Sequence, residues 1–142
     1  MSLCITHTPT PRLSVHRFSR GEDDATVLAQ LGPVMAHSLP LSSLSVSHDE
    51  ISLVVPETAA LPIVPSTSET GWTTFKVEGP LDFALTGILS SLTAPLAAAS
   101  IPVFAISTYD TDYILVKEDK AQGAIDAWHA CGIAAVSVAS KE

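Results

Sequence analysis

The chain has 142 residues, 46% hydrophobic and 15% charged, with a formal net charge of −8, so it has the size of one domain or two small lobes and ample material for a core. Its seven Lys and Arg are scattered, which excludes a phosphate-binding stripe and with it nucleic acid as a partner. No apolar run approaches the roughly 18 residues of a membrane span, which excludes a membrane-crossing helix.

The start, "MSLCITHTPTPRL", lacks a basic region followed by an apolar stretch, so a cytoplasmic protein is expected. The first strand signal is "RLSVHRF" (12–18), which alternates. "ATVLAQLGPVMAHSL" has helical character broken at Gly32–Pro33. "LSVS" and "ISLVVP" read as two strands around "HDE". After Glu57, "TAALPIVPSTSET" reads as a short strand and a Pro/Ser/Thr linker.

The second half is clearer. "WTTFKVEG" (72–79) alternates as a half-buried strand, with Phe75 and Val77 facing one way and Thr74 and Lys76 the other. "GPLD" is a turn. "FALTGILSSLTAPLAAAS" then carries Leu85, Ile88, Leu89, Leu92 and Leu96 on one helical stripe, with Asp82 as its N-cap and Pro95 kinking or shortening its end. "IPVFAIST" and "YILVK" are two strands joined at Tyr109–Asp112. "EDKAQGAIDAWHACG" puts Ala121, Ala124, Ile125 and Trp128 on one helix face and ends at Gly132. "IAAVSVA" is a last strand.

This β-α-β-β-α-β order is the ferredoxin-like split unit, two helices covering one face of a four-stranded antiparallel sheet. Its other face, with Trp72, Phe104 and Ile106, is too apolar for water. A second lobe or a second chain should cover it, so a homodimer is expected. The first half offers a degraded version of the same order. "SHDEISLVVPE" (47–57) laid on "TYDTDYILVKE" (108–118) matches Asp49 with Asp110, Val55 with Val116 and Glu57 with Glu118, as a duplication would. The expected fold is α+β, two tandem ferredoxin-like lobes at residues 1–66 and 71–142, the first degraded. At the position of Asp112 the first lobe carries Ile51. Asp110 therefore reads as turn chemistry, and Asp112 as something the second lobe adds.

No phosphate-binding, dinucleotide, nucleophile-elbow, C-x-x-C or H-E-x-x-H motif is present. The five histidines (7, 16, 37, 48 and 129) show no metal spacing, and each reads as solvated or satisfied. Cys4 and Cys131 read as lone thiols in a reducing compartment, small buried hydrophobes rather than reactive groups. No cofactor, metal or catalytic residue is expected. "VEGPLDFALTGI" (77–88) is either an ordinary βα turn or a place where N–H groups at a helix start meet a carboxylate or phosphate, with Gly79 and Gly87 admitting the ligand. Asp112 and Tyr109 fall at the end of the sheet facing that turn. Donors, a carboxylate and an aromatic wall together suit a free amino acid. An exposed turn acid is the alternative.

The stretches "VEGPLDF…TGIL", "APLA…I" and "ISTYDTDYILV" resemble the ACT-domain proteins of the type found in the cytosolic arginine sensor of the TOR pathway. The resemblance covers residues 71–132 and, more weakly, "SVSHDEISLVVPE". It implies two ACT-type lobes in a non-enzymatic regulator that binds an amino acid or similar small zwitterion between lobes and acts through a protein partner. It assigns the ligand to Asp82, Leu85, Gly87, Ile88, Tyr109 and Asp112, and the reading of the turn adds the backbone at Gly79 and Pro80. Asp112 matches the aspartate that contacts the bound amino acid. The chain departs from the family at Leu85, where the arginine sensor has an acid, and this points to a less basic ligand. Two rivals keep the fold: an assembly module without ligand, and a small enzyme with Asp110 or Asp112 as base and Tyr109 or His48 as acid.

Overall fold

The computed structural model describes residues 3–37, 39–78 and 86–138. The elements are β1 (Cys4–Ser19), α1 (Asp24–Ala36), β2 (Ser43–Val46), β3 (Glu50–Pro56), β4 (Thr67–Val77), α2 (Ile88–Ala98), β5 (Phe104–Ser107), β6 (Asp112–Lys117), one turn of 3-10 helix (Glu118–Lys120), α3 (Ala121–Ala130) and β7 (Ala134–Ser137). The chain divides into two compact units. One joins Met1–Thr10 to Trp72–Glu142, and the other is Pro11–Gly71. The expected lobes at 1–66 and 71–142 kept the N-terminus in the first lobe, whereas by compactness the first ten residues go with the C-terminal unit. Both β1 and β4 therefore change unit partway along.

In the C-terminal unit the strands lie in the order β7-β1-β4-β6-β5. The succession β4-α2-β5-β6-α3-β7 follows the expected β-α-β-β-α-β order. The sheet differs from the expected four antiparallel strands, because β1 lies between β4 and β7 and pairs with β7 in parallel, Cys4 to Ala134 through His7 to Ser137. Residues 4–11 gave no strand signal because Pro9 and Pro11 interrupt them, and proline is tolerated in a strand only where its missing N–H is not needed. Ile5 from this segment is nevertheless part of the core.

That core forms because β4 alternates. Phe75 and Val77 point to the helices and meet Leu92 and Leu96 of α2, Ile114 and Val116 of β6, and Ala124 and Trp128 of α3. The Trp128 ring stands edge-on to Phe75 at 4.8 Å, and its indole N–H donates to Leu92 O at 2.8 Å. This arrangement buries a large aromatic surface without orphaning its one polar atom. α2 begins at Ile88, after Gly87 in the left-handed region (φ 77°). Gly87 holds the N-cap position, and Asp82, the expected N-cap, lies outside the described residues. Leu92 and Leu96 are fully buried, Ile88 packs at the core's margin, and Leu89 is 37% exposed, so the stripe is narrower than expected. α2 runs through Pro95 to Ala98.

The sheet's other face is less open than its residues suggest. Trp72 is only 8% exposed, and Thr74 and Leu115 beside it are buried within the single chain. Trp72 packs on Phe104 at 6.0 Å, and Lys117 Nζ lies 4.8 Å from its ring centroid. An apolar face in need of a second chain is therefore not what the structure presents at Trp72.

In the N-terminal unit the strands lie in the order β2-β3-β1-β4, with β3 antiparallel to both β1 and β2. Its core is Phe18, Leu31, Ile51, Leu53 and Val55. α1 continues through Gly32–Pro33 to Ala36, where a break was expected. Leu31, fully buried next to the weak point, holds the helix by packing rather than propensity. No second helix follows β3. Residues 58–66 form no strand either, while Ala59, Leu61 and Ile63 pack on the core. The supposed linker residues Thr67–Thr70 already belong to β4.

Candidate functional site

The two β-hairpins share one turn. In the C-terminal unit the Thr108 N–H donates to Thr111 O at 2.8 Å, and the Thr108 hydroxyl donates to the same carbonyl at 3.1 Å. In the N-terminal unit Ser47 does the same to Glu50 O, at 2.9 Å from its N–H and 3.3 Å from its hydroxyl. Ser47 thus corresponds to Thr108, His48 to Tyr109, Asp49 to Asp110 and Ile51 to Asp112. The backbone N–H and the hydroxyl of the same Ser or Thr close each turn together. Asp49 and Asp110 stand exposed at the tips, which corrects the expectation that Asp110 is what makes the turn.

Asp112 opens β6 and is half-buried. Its Oδ1 accepts the Ser107 hydroxyl at 2.6 Å, and Ser107 is its register partner on β5. Phe75 lies opposite Ile114, so two residues further along each strand Val77 and Asp112 fall on the same, helix-covered face. The buried Thr111 hydroxyl donates to Val77 O at 2.5 Å. That bond ties the head of β6 to the end of β4, where the chain leaves for α2. Ile88, first residue of α2, packs on the core that contains Val77. The structure thus gathers Asp112 and Ile88 on one face of the unit. Gly87 owes its glycine to the positive φ, since the space a side chain would enter is open. Tyr109 is 80% exposed at the hairpin tip and does not wall this region. Gly79, Pro80, Asp82 and Leu85 lie outside the described residues.

Sequence reasoning missed Ser107 and Thr111. Both are small hydroxyl residues whose use appears only once the hairpin pairs them, and the "ST…TD" spacing around the tip was the available signal. His7 is a satisfied histidine, one of the two states expected for it. This residue is buried and stacks on Phe75 at 4.3 Å, with Nε2 2.7 Å from the Thr73 hydroxyl and Nδ1 3.2 Å from the Ser137 hydroxyl. Thr73 donates onward to Thr8 O, so it accepts from Nε2–H and Ser137 donates to Nδ1. Burial holds the His7 pKa below 6.5. Burial also lowers that of His16, whose Nδ1 lies 2.6 Å from the Ser68 hydroxyl. Cys4 and Cys131 are exposed, contrary to the buried hydrophobes expected. Among the described residues no group of three His, Cys, Asp or Glu is placed to hold a metal ion, and no helix is long and apolar enough to cross a membrane.

Residues 67–130 match the ACT domain family. A crystal structure of a protein from Agobacterium tumefaciens superposes with a TM-score of 0.80 at 24% identity, covering 100% of this chain and 98% of that one. Aspartate kinase from Clostridium acetobutylicum superposes with a TM-score of 0.65 at 8% identity, over 90% of this chain and 33% of the kinase. The regulatory subunit of aspartate kinase from Thermus flavus gives 0.62 at 8% identity, over 93% of this chain and 97% of that one. At these identities the likeness is one of fold. Residues 67–130 thus match the ACT domain family, and the fold is similar to that of the Clostridium acetobutylicum aspartate kinase and of the Thermus flavus aspartate kinase regulatory subunit.

Proposed function

We propose that the chain is a regulatory, non-enzymatic binder of a free neutral amino acid, held in the C-terminal unit where β4 leads into α2. ACT domains generally bind amino acids in regulatory roles. The observation that carries the reading is Asp112: a half-buried carboxylate on the helix-covered face, steadied on one oxygen by Ser107. A carboxylate in that state retains acceptor capacity for an ammonium group. The N–H groups after Gly79–Pro80 would hold the ligand carboxylate. Asp82, Leu85, Gly87 and Ile88 would line the remainder, and Leu85 and Ile88 would meet an uncharged side chain. Tyr109 would join only if the hairpin tip moved.

In this reading the N-terminal unit is a second, degraded ACT-like lobe. Its strand order β2-β3-β1-β4 and its missing second helix support that view. The kinship to the arginine-sensor type, a homodimer and a protein partner that responds to ligand complete the reading. Ligand can shift a partner equilibrium only by its differential affinity for the two states. The test is a thermal-shift screen against the twenty amino acids, because a ligand at 100 times its Kd adds about 2.7 kcal/mol. No stabilisation by any of them would refute the reading.

A further inference from the structure

The N-terminal unit closes its own β-to-helix turn. Asp24, the first residue of α1, accepts the Gly21 N–H on Oδ1 at 2.8 Å and the Arg20 Nε–H on Oδ2 at 2.7 Å. Arg20 also donates through Nη1 to Ser47 O, the residue that heads the β2–β3 hairpin. One arginine and one aspartate thus join the turn, the helix start and the hairpin tip. The Arg20 hydrogen bond, and then that from Gly21, hold the Asp24 carboxyl below its usual range.

Only residues 20–23, four in all, separate β1 from α1, while residues 79–85 of the C-terminal unit lie outside the described residues. A four-residue turn stitched to its own carboxylate has no slack to wrap a ligand. The position of Asp112 is taken by Ile51, fully buried among Phe18, Leu31 and Leu53. The carboxylate that an amino acid would bring is already supplied by the chain. The acceptor its ammonium would need is replaced by hydrocarbon.

We infer that Asp24 acts as an internal stand-in for a ligand carboxylate, that the N-terminal unit is thereby closed, and that the chain takes up one amino acid, in the C-terminal unit. This rests on the reading that the C-terminal unit binds an amino acid. Calorimetry on the full chain with the amino acid that gives the largest thermal shift should yield one site per chain, and Asp112→Ala should remove all the heat. Two sites per chain, or one site surviving in Asp112→Ala, would overturn the inference while leaving amino-acid binding intact. No heat from the unmodified protein with any amino acid would remove both. The stand-in has a readout that needs no ligand. The Gly21 amide should exchange slowly with deuterium in the unmodified protein and faster in Asp24→Ala. Free exchange of Gly21 in the unmodified protein would refute the role given to Asp24.

Discussion

The Ser107 hydroxyl donates to Asp112 Oδ1 across the β5–β6 pair at 2.6 Å, so the candidate ligand carboxylate is oriented by a neighbour on the adjoining strand. Asp112→Ala should abolish any amino-acid thermal shift and leave the fold intact. Ser107→Ala should keep binding but weaken it about tenfold, since a hydrogen bond to a charged group contributes about 1.5–3 kcal/mol. Calorimetry on the two variants decides. Equal affinity for Ser107→Ala and the unmodified protein would deny Ser107 a positioning role.

The twin hairpins separate hydroxyl from carboxylate. Thr108→Ala should cost about 1 kcal/mol of stability through its lost turn bond. Asp110→Ala, at an exposed tip, should stay within about 0.5 kcal/mol. Urea denaturation of both variants checks the order, and a larger loss from Asp110→Ala would reverse it.

In the proposed reading, ligand choice turns on Leu85. A guanidinium facing it without an acid costs several kcal/mol of desolvation. Leucine or threonine should therefore bind more tightly than arginine, and Leu85→Glu should shift the preference towards arginine. Competition calorimetry with the three amino acids gives the answer, and arginine winning on the unmodified protein would sink the prediction.

His7 should make stability sensitive to acid. Its folded pKa lies below 6.5 because burial disfavours the imidazolium. The stabilisation from the neutral ring is fully present above 6.5 and is lost as pH falls through the lower, folded value. Melting temperature should drop below pH 6.5, and the drop should be smaller in His7→Asn. His16 shifts the same way, so the single variant isolates His7. An unchanged pH slope in His7→Asn would place the effect elsewhere.

Trp128 is the largest fully buried side chain. Trp128→Ala should cost about 3–5 kcal/mol, the range for deleting a core aromatic. A loss of unfolding free energy in guanidinium denaturation of less than half that amount would mean the site collapses around the vacancy.

Periodicity made the C-terminal unit legible. Phe75 and Val77 alternate, and Ala124 and Trp128 repeat at helical spacing, so the elements that bury them could be read. The Asp112–Ile51 contrast was legible because the hairpins share a length and a hydroxyl. What could not be read was non-local. The pairing of β1 with β7 joins residues 130 apart, as His7 and Ser137 show, and no window of sequence contains it. "DFALTG" has helical composition, and composition does not carry the positive φ of Gly87 from which the described α2 starts. The hydrogen-bonding roles of Ser107 and Thr111 depend on register, which single residues do not carry.

The pairing of Cys4–His7 with Ala134–Ser137 also dictates an order of events during synthesis. Cys4–His7 is synthesised well before its partner Ala134–Ser137, so the C-terminal unit closes only after Ser137 has been translated. The N-terminal unit, whose strands are complete by Gly71, can form while the rest is still emerging. A fragment cut at residue 71 therefore inherits an incomplete C-terminal half, whereas a circular permutant with its ends joined and a new opening elsewhere would bring the two strands together early.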